Sequence, residues 1–198
     1  MPKISDERKT ERREQILEGA RRCFAENGYE GATVAKLEHT IGLSRGAIFN
    51  YYPSKEDLFL DLCSRDNERL LRLWLENGWE AALRSVVEEE PKWLGVYLEL
   101  TRKVRADPDF ARRHEERTDR ELTPLVIESV RADQERGLIR DDFPPERVAG
   151  FVAVVANGVV LQTASGERIR DVDALVEFVH AAIGAAAARR AEATRRRR

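Results

Sequence analysis

Apolar residues recur three and four positions apart along most of the chain. In "EQILEGARRCFAENG", Ile16, Ala20, Cys23 and Phe24 fall on one helical face, with Glu11 and Glu14 near its start and Gly28 just past its end. The spacing predicts a first helix that stops at Gly28. Thr33 is placed to cap "VAKLEHT", whose apolar positions are Val34 and Leu37 with Ile41 just beyond, and Gly42 breaks the run. Ser44 is placed to cap "RGAIFNYY", so two short helices joined by a tight turn are expected. Pro53 ends the second of these, because a proline ring crowds the residue before it out of helical geometry. Ser54 and Asp57 have the spacing of a capping box, which opens a long helix through Trp74 that Asn77 and Gly78 close.

Further helical patterns cover residues 79–87, 91–105, 108–136, 144–164 and 171–190. Pro124 lies inside the third of them, where a missing N–H should kink or divide the helix, and a bend is expected there. No alternating run of strand type and no repeat is visible, so the predicted fold class is all-α.

Composition narrows the setting. With 198 residues, 42% hydrophobic and 35% charged, the chain can bury a core in one or two domains. Cys23 and Cys63 form no CxxC pair and no leader pattern opens the sequence, which places the protein in the cytoplasm. The longest apolar run, residues 148–161, is shorter than a bilayer span and contains Asn157, so no membrane association is expected. The net charge of -2 conceals an asymmetry: residues 1–55 carry ten Lys and Arg against eight Asp and Glu, whereas residues 56–184 carry eighteen against twenty-seven. A basic head on an acidic body suits a module that meets phosphate with one end only.

The stretch "SRGAIFNYYPSKEDLF" supplies the chemistry for that contact. A short helix, a glycine turn and a second short helix form a helix-turn-helix, whose second helix enters the major groove by its N-terminal residues. Ser44 and Arg45 can reach base edges or phosphate, Gly46 admits close backbone approach, and Tyr51 and Tyr52 offer hydroxyls, while Ile48 and Phe49 hold the helices together. Lys55 beside the free amides at the start of the next helix makes a phosphate clamp, and Thr33 offers the same one helix earlier.

The segment from "RREQILEGARRCFAENGYEGATV" through "GLSRGAIFNYYPSKEDLF" resembles the DNA-binding domain of tetracycline-repressor-type (TetR family) regulators, with "F-x-x-x-G-Y-x-G-A-T", "G-L-S-R-G" and "Y-P-S-K-E-x-L" in order. Within the family it is most similar to the aconitase-repressor subgroup. The resemblance implies a nine-helix, Ω-shaped homodimer that binds a near-palindromic double-stranded DNA operator and represses. It also implies a small-molecule effector in the C-terminal domain, here citrate or a metal–citrate complex, with no required cofactor, and control of citric-acid-cycle genes. Carried over by position, it makes Ser44, Arg45, Gly46 and Asn50 face the groove and Thr33, Tyr51 and Lys55 face phosphate. Two departures are visible. Phe49 stands where many members have a phosphate-touching tyrosine, and Glu38 stands where a small alanine packs the two helices, so Glu38 is expected to point outward. The implied division is 1–53 for DNA binding, 54–190 for ligand binding and dimerisation, and 191–198 as a basic tail that frays into solvent.

Other readings compete. "GLSRG" has the form of a nucleophile elbow, but an elbow needs a strand before its serine and residues 37–41 read as helix. His39, His114 and His180 show no zinc spacing with the cysteines. Asp173, Glu177 and His180 share one helical face and are either solvated or a site for a divalent ion. Glu99 and Arg102 are either a surface ion pair or two groups facing an effector cavity, and Arg131 and Asn157 interrupt apolar stretches in the same way. Trp74, Trp79 and Trp93 are core residues or the lining of a pocket. Gly150, Ala153 and Gly158, together with Leu175, Val179, Ala182 and Ile183, are expected to pack against a second copy. The alternative to a DNA-binding regulator is a helical protein-interaction module that does not bind DNA.

Overall fold

In a computed structural model that describes residues 6–89, 91–117 and 122–185, ten helices follow one another and no strand occurs among the described residues. The first, α1 (Asp6–Gly31), begins earlier than its apolar pattern because its opening turns are polar and exposed. Gly28 breaks it as predicted, with φ 68° and ψ 174°, a conformation that side chains with a Cβ avoid. Next come α2 (Val34–Ile41) and α3 (Arg45–Phe49), capped by Thr33 and Ser44 as the sequence indicates. The α3 helix is shorter than its pattern suggests, since Asn50 already acts as its C-cap. Ser54 and Asp57 do exchange hydrogen bonds at the start of α4 (Lys55–Asn77): the Asp57 N–H donates to Ser54 Oγ at 3.0 Å and the Ser54 hydroxyl donates to the Asp57 carboxylate at 2.6 Å.

Then follow α5 (Trp79–Glu88), α6 (Pro91–Ala106), α7 (Pro108–Arg117), α8 (Leu122–Glu135), α9 (Pro145–Ala164) and α10 (Val172–Ile183). Ten helices replace the expected nine, because the pattern over 108–136 holds two. The pattern is divided, one of the two outcomes expected of Pro124, and no bend is seen within α8: the proline lies in the first described turn of that helix, where it is tolerated. The basic tail at 191–198, and the end of the pattern predicted over 171–190, lie outside the described residues.

Packing divides the chain into two compact units, the first made of residues 1–66 and 90–118 and the second of 67–89 and 119–198. This division follows contacts, whereas the one drawn at residue 53 follows motifs. In the first unit, Phe24, Tyr29 and Phe59 form an aromatic cluster with centroids 4.7 to 5.9 Å apart, extended by fully buried Ile16, Leu37, Ile48, Trp93 and Phe110. Each such side chain contributes about 1.5–3 kcal/mol through burial. The α1 and α2 helices cross at close range, since a Cβ on Gly19 would stand 2.8 Å from Ile41 Cα.

The same unit contains a buried ionic node. Asp66 of α4 accepts from Arg21 of α1 at 2.8 and 2.9 Å and from the Trp93 indole of α6. Burial, then the nearby Asp66 carboxylate, pushes the Cys63 thiol and the Tyr97 phenol far above their ordinary ranges.

In the second unit, Trp79, Leu83 and Val86 of α5 pack with Val130 of α8, with Val148, Val152 and Val159 of α9 and with Val176, Val179 and Ile183 of α10. A short antiparallel bridge ties residue 139 to residue 184, where the Arg140 N–H donates to the Ile183 carbonyl at 2.8 Å. By length and composition alone α9 could cross a bilayer, more than its 14-residue apolar run suggested. Its inner valines are buried in this core, while Phe151, Val154 and Leu161 lie exposed on the other side.

Candidate nucleic-acid interface

The α3 helix is built as a reader with an anchored back. Ile48 is fully buried and Phe49 half-buried, whereas Ser44, Arg45, Gly46 and Asn50 are exposed. The Arg45 guanidinium lies 5.9 Å from the centre of the Phe49 ring and has no ion-pair partner among the described residues. Ser44 Oγ accepts from the Ala47 N–H at 3.4 Å, a long cap. A second and shorter cap was not foreseen: Glu38 Oε1 accepts from the Arg45 N–H at 2.6 Å. Glu38 does not point away into solvent. It folds across the turn because the free amides at a helix start attract a carboxylate more strongly than a neutral acceptor.

Thr33 is exposed and its hydroxyl accepts from the Lys36 N–H at 3.3 Å, so it sits at the amide end of α2 as expected. Tyr51 is half-buried. Tyr52 is not available as a hydroxyl for DNA: it is buried, donates to Asp61 Oδ2 at 3.0 Å, and its phenol is shifted far upward by burial and then by the Asp61 charge. The Lys55 ammonium donates to the Tyr29 carbonyl at 2.9 Å and lies 4.2 Å from the centre of the Tyr29 ring. An ammonium has three donors, so two remain for phosphate.

A charged network fixes the start of α4. Glu56 pairs with Arg113 of α7 and, at 3.1 Å, with Lys103 of α6, and Asp57 pairs with Arg117 at 2.7 Å. Burial alone would raise the Glu56 pKa, but hydrogen bonds from Arg113 and Lys103 outweigh it and hold the carboxyl below its ordinary 4.5. A carboxyl whose folded pKa is depressed adds stability above its unfolded pKa and loses it as pH falls through the folded value. Thermal melts of Glu56→Gln should therefore show a smaller loss of Tm between pH 7 and pH 3 than wild type. An equal loss in both proteins would remove Glu56 from the acid response.

The residues singled out for an effector fall in both units. Glu99 forms no ion pair with Arg102: its carboxylate accepts from the Tyr29 N–H at 2.8 Å, beside Gly28, where a Cβ would stand 2.7 Å from Glu99 Oε1. Arg102 is exposed. Glu99 is thus a brace for the end of α1, and its partner seventy positions away left no signal in the local pattern. Both residues belong to the first unit. In the second, exposed Arg131 pairs with Glu128 at 3.2 Å and Glu146 at 3.6 Å. Asp173 pairs with Arg84 at 2.6 Å and His180 with Glu80, while Glu177 is exposed. Asn157 is exposed on α9. No group of three His, Cys, Asp or Glu side chains among the described residues is arranged to hold a metal. A groove of about 280 Å³, lined by Arg140, Phe143, Arg147, Phe151 and Ile183 among others, contains none of these candidates. Trp93 is core in the first unit, and Trp79 is core in the second with Trp74 packed against it.

Ser44 follows a helix and a turn, and its hydroxyl caps α3, so "GLSRG" is no nucleophile elbow. An anchored short helix with an exposed Ser-Arg-Gly head, set by a glycine turn behind a second short helix, defines a helix-turn-helix DNA-binding protein. The profile of the bacterial regulatory proteins of the tetR family matches residues 16–62, and that of the BetI-type transcriptional repressor C-terminal domain matches 71–188. The chain belongs to the TetR family; it is a DNA-binding transcriptional repressor and not an enzyme. It is similar to the HTH-type transcriptional repressor AcnR of Corynebacterium diphtheriae, 39% identical over 185 residues, 92% of this chain and 97% of that protein. AcnR of Corynebacterium glutamicum is 35% identical over 188 residues, 92% of this chain and 98% of that protein. Among solved structures, Salmonella enterica GusR shares the fold with a TM-score of 0.68 at 20% identity, covering 91% of this chain and 98% of that chain.

Proposed function

We propose that the protein acts in the cytoplasm as a homodimer on a near-palindromic duplex operator. In this reading Ser44, Arg45, Gly46 and Asn50 meet base edges, while Thr33, Tyr51 and Lys55 hold backbone phosphates. The observation that carries it is the exposed Arg45, without an ion-pair partner among the described residues, at the head of a helix whose other face is locked by Ile48. Arginine is suited to that place because its planar fork matches the two acceptors of guanine in the major groove.

Dimerisation is supported by the exposed side of α9 and α10. Phe151, Val154, Leu161 and Phe178 are 41%, 68%, 55% and 76% exposed, and Gly150, Ala153 and Gly158 are exposed with them. Asn157 lies among these residues of α9. The α10 flank expected to meet the second copy is different: Val179 and Ile183 are buried in their own unit, with Leu175 and Ala182 packed against the same core. A two-fold pairing through the exposed side would match the symmetry of a palindromic site.

An effector that weakens operator binding completes the reading, with citrate, alone or with a divalent ion, as the candidate drawn from the subgroup resemblance. One set of titrations tests these elements, using the duplex that the protein selects from a random pool and a scrambled control. Arg45→Ala should lose about 1–3 kcal/mol on the selected duplex and little on the control. Lys55→Ala should weaken both alike and flatten the salt dependence by about one unit of slope. Equal losses on both duplexes for Arg45→Ala would refute base reading. Citrate with magnesium should weaken selected binding in wild type, and an unchanged titration would end the citrate assignment.

A further inference from the structure

Glu38 holds both ends of the turn between α2 and α3. Gly42 passes through the left-handed region at φ 73°, and its N–H donates to the Glu38 backbone carbonyl at 2.9 Å. The Glu38 side chain then reaches past that turn to accept from the Arg45 N–H at 2.6 Å. The other cap on α3, from Ser44, is 3.4 Å long and near the limit of a hydrogen bond. With five residues, α3 has too few internal hydrogen bonds to hold its own first turn. The direction of its first peptide, and so of the Arg45 side chain that leaves from it, depends on the carboxylate.

The same carboxylate is an anion beside the residues that would enter the groove, half-buried and therefore only partly screened. It disfavours approach of phosphate on every sequence, and no base-pair match cancels that repulsion. Aim and repulsion act together: one raises the affinity for the right duplex and the other lowers the affinity for all duplexes.

We propose that Glu38 is a positioning residue for operator reading, fixing the aim of Arg45 through its main-chain N–H while its charge suppresses non-specific binding. This rests on the base-reading role of Arg45, which the first variant below tests by itself. Arg45→Ala, Glu38→Gln and Glu38→Ala are titrated on the selected and the scrambled duplex, with far-UV circular dichroism to confirm the helical fold.

Glutamine keeps an acceptor but not the charge. Glu38→Gln should preserve the ratio of selected to scrambled affinity within about twofold and raise scrambled affinity about threefold. Glu38→Ala loses both, so its ratio should fall about tenfold, toward that of Arg45→Ala, while its scrambled affinity rises as in the glutamine variant. A merely structural role would lower both affinities together and leave the ratio unchanged, which would overturn the proposal. A wild-type ratio in Glu38→Ala would overturn it equally. A tenfold fall of the ratio in Glu38→Gln would also overturn it, because an uncharged acceptor would then fail to hold the aim of Arg45. If Arg45→Ala keeps the wild-type ratio, the reading beneath the proposal fails, and the proposal with it.

Discussion

Asp66→Ala is expected to lower the unfolding free energy by about 3 kcal/mol, a large part of the 5–15 kcal/mol typical of a domain. The residue is 8% exposed and takes hydrogen bonds from two helices, through Arg21 of α1 and Trp93 of α6. Removing it takes the Asp66 carboxylate from the Arg21 guanidinium, which lies over the Trp93 ring 4.5 Å from its centre, and takes the acceptor from a buried indole N–H. The value sits at the lower end for a broken buried pair because the Arg21 side chain is 28% exposed and water can recover part of its charge. Urea unfolding at pH 7 measures it. A loss below about 0.5 kcal/mol would show that the node contributes no more than an ordinary surface position.

The second large effect is on assembly. Val154→Glu and Phe178→Glu place carboxylates on side chains 68% and 76% exposed in the single chain, so each chain should keep its helical content. A two-fold pairing through that side would bring each new charge into a desolvated interface. The expected result is a monomer by sedimentation at micromolar concentration. Operator affinity should drop by about 100-fold or more, because two linked half-site contacts become two independent ones. A dimer that survives both substitutions would move the interface elsewhere.

Much of the DNA-binding half was legible in the sequence because its signals are local. Thr33, Gly42, Ser44 and Ser54 act on backbone groups within four residues of themselves, and Asp57 meets the Ser54 hydroxyl, so spacing alone places the caps and turns that the structure contains. The pattern misled where two meanings shared one spacing. Pro124 could kink one helix or sit near the start of another, and a local pattern does not distinguish these. Val179 and Ile183 make an apolar flank whether it faces the chain's own core or a second chain, and only the packing of α5 and α9 settles that they are core.

The contacts that sequence reasoning missed join residues far apart in the chain. Glu99 meets Tyr29, Asp66 meets Arg21 and Trp93, and Glu56 meets Arg113. A carboxylate in an amphipathic helix has the same appearance in sequence whether water or a distant amide receives it. For that reason Glu99, Arg131 and His180 read as candidates for an effector, while the fold commits each of them to a partner inside the protein. The sequence by itself determined the helix order, the helix-turn-helix and the family, since these follow from periodicity, capping and motif spacing. Only the tertiary structure decided which charges are occupied, which apolar flank is core, and that Glu38 turns back onto α3, because each of these depends on what a side chain meets across space.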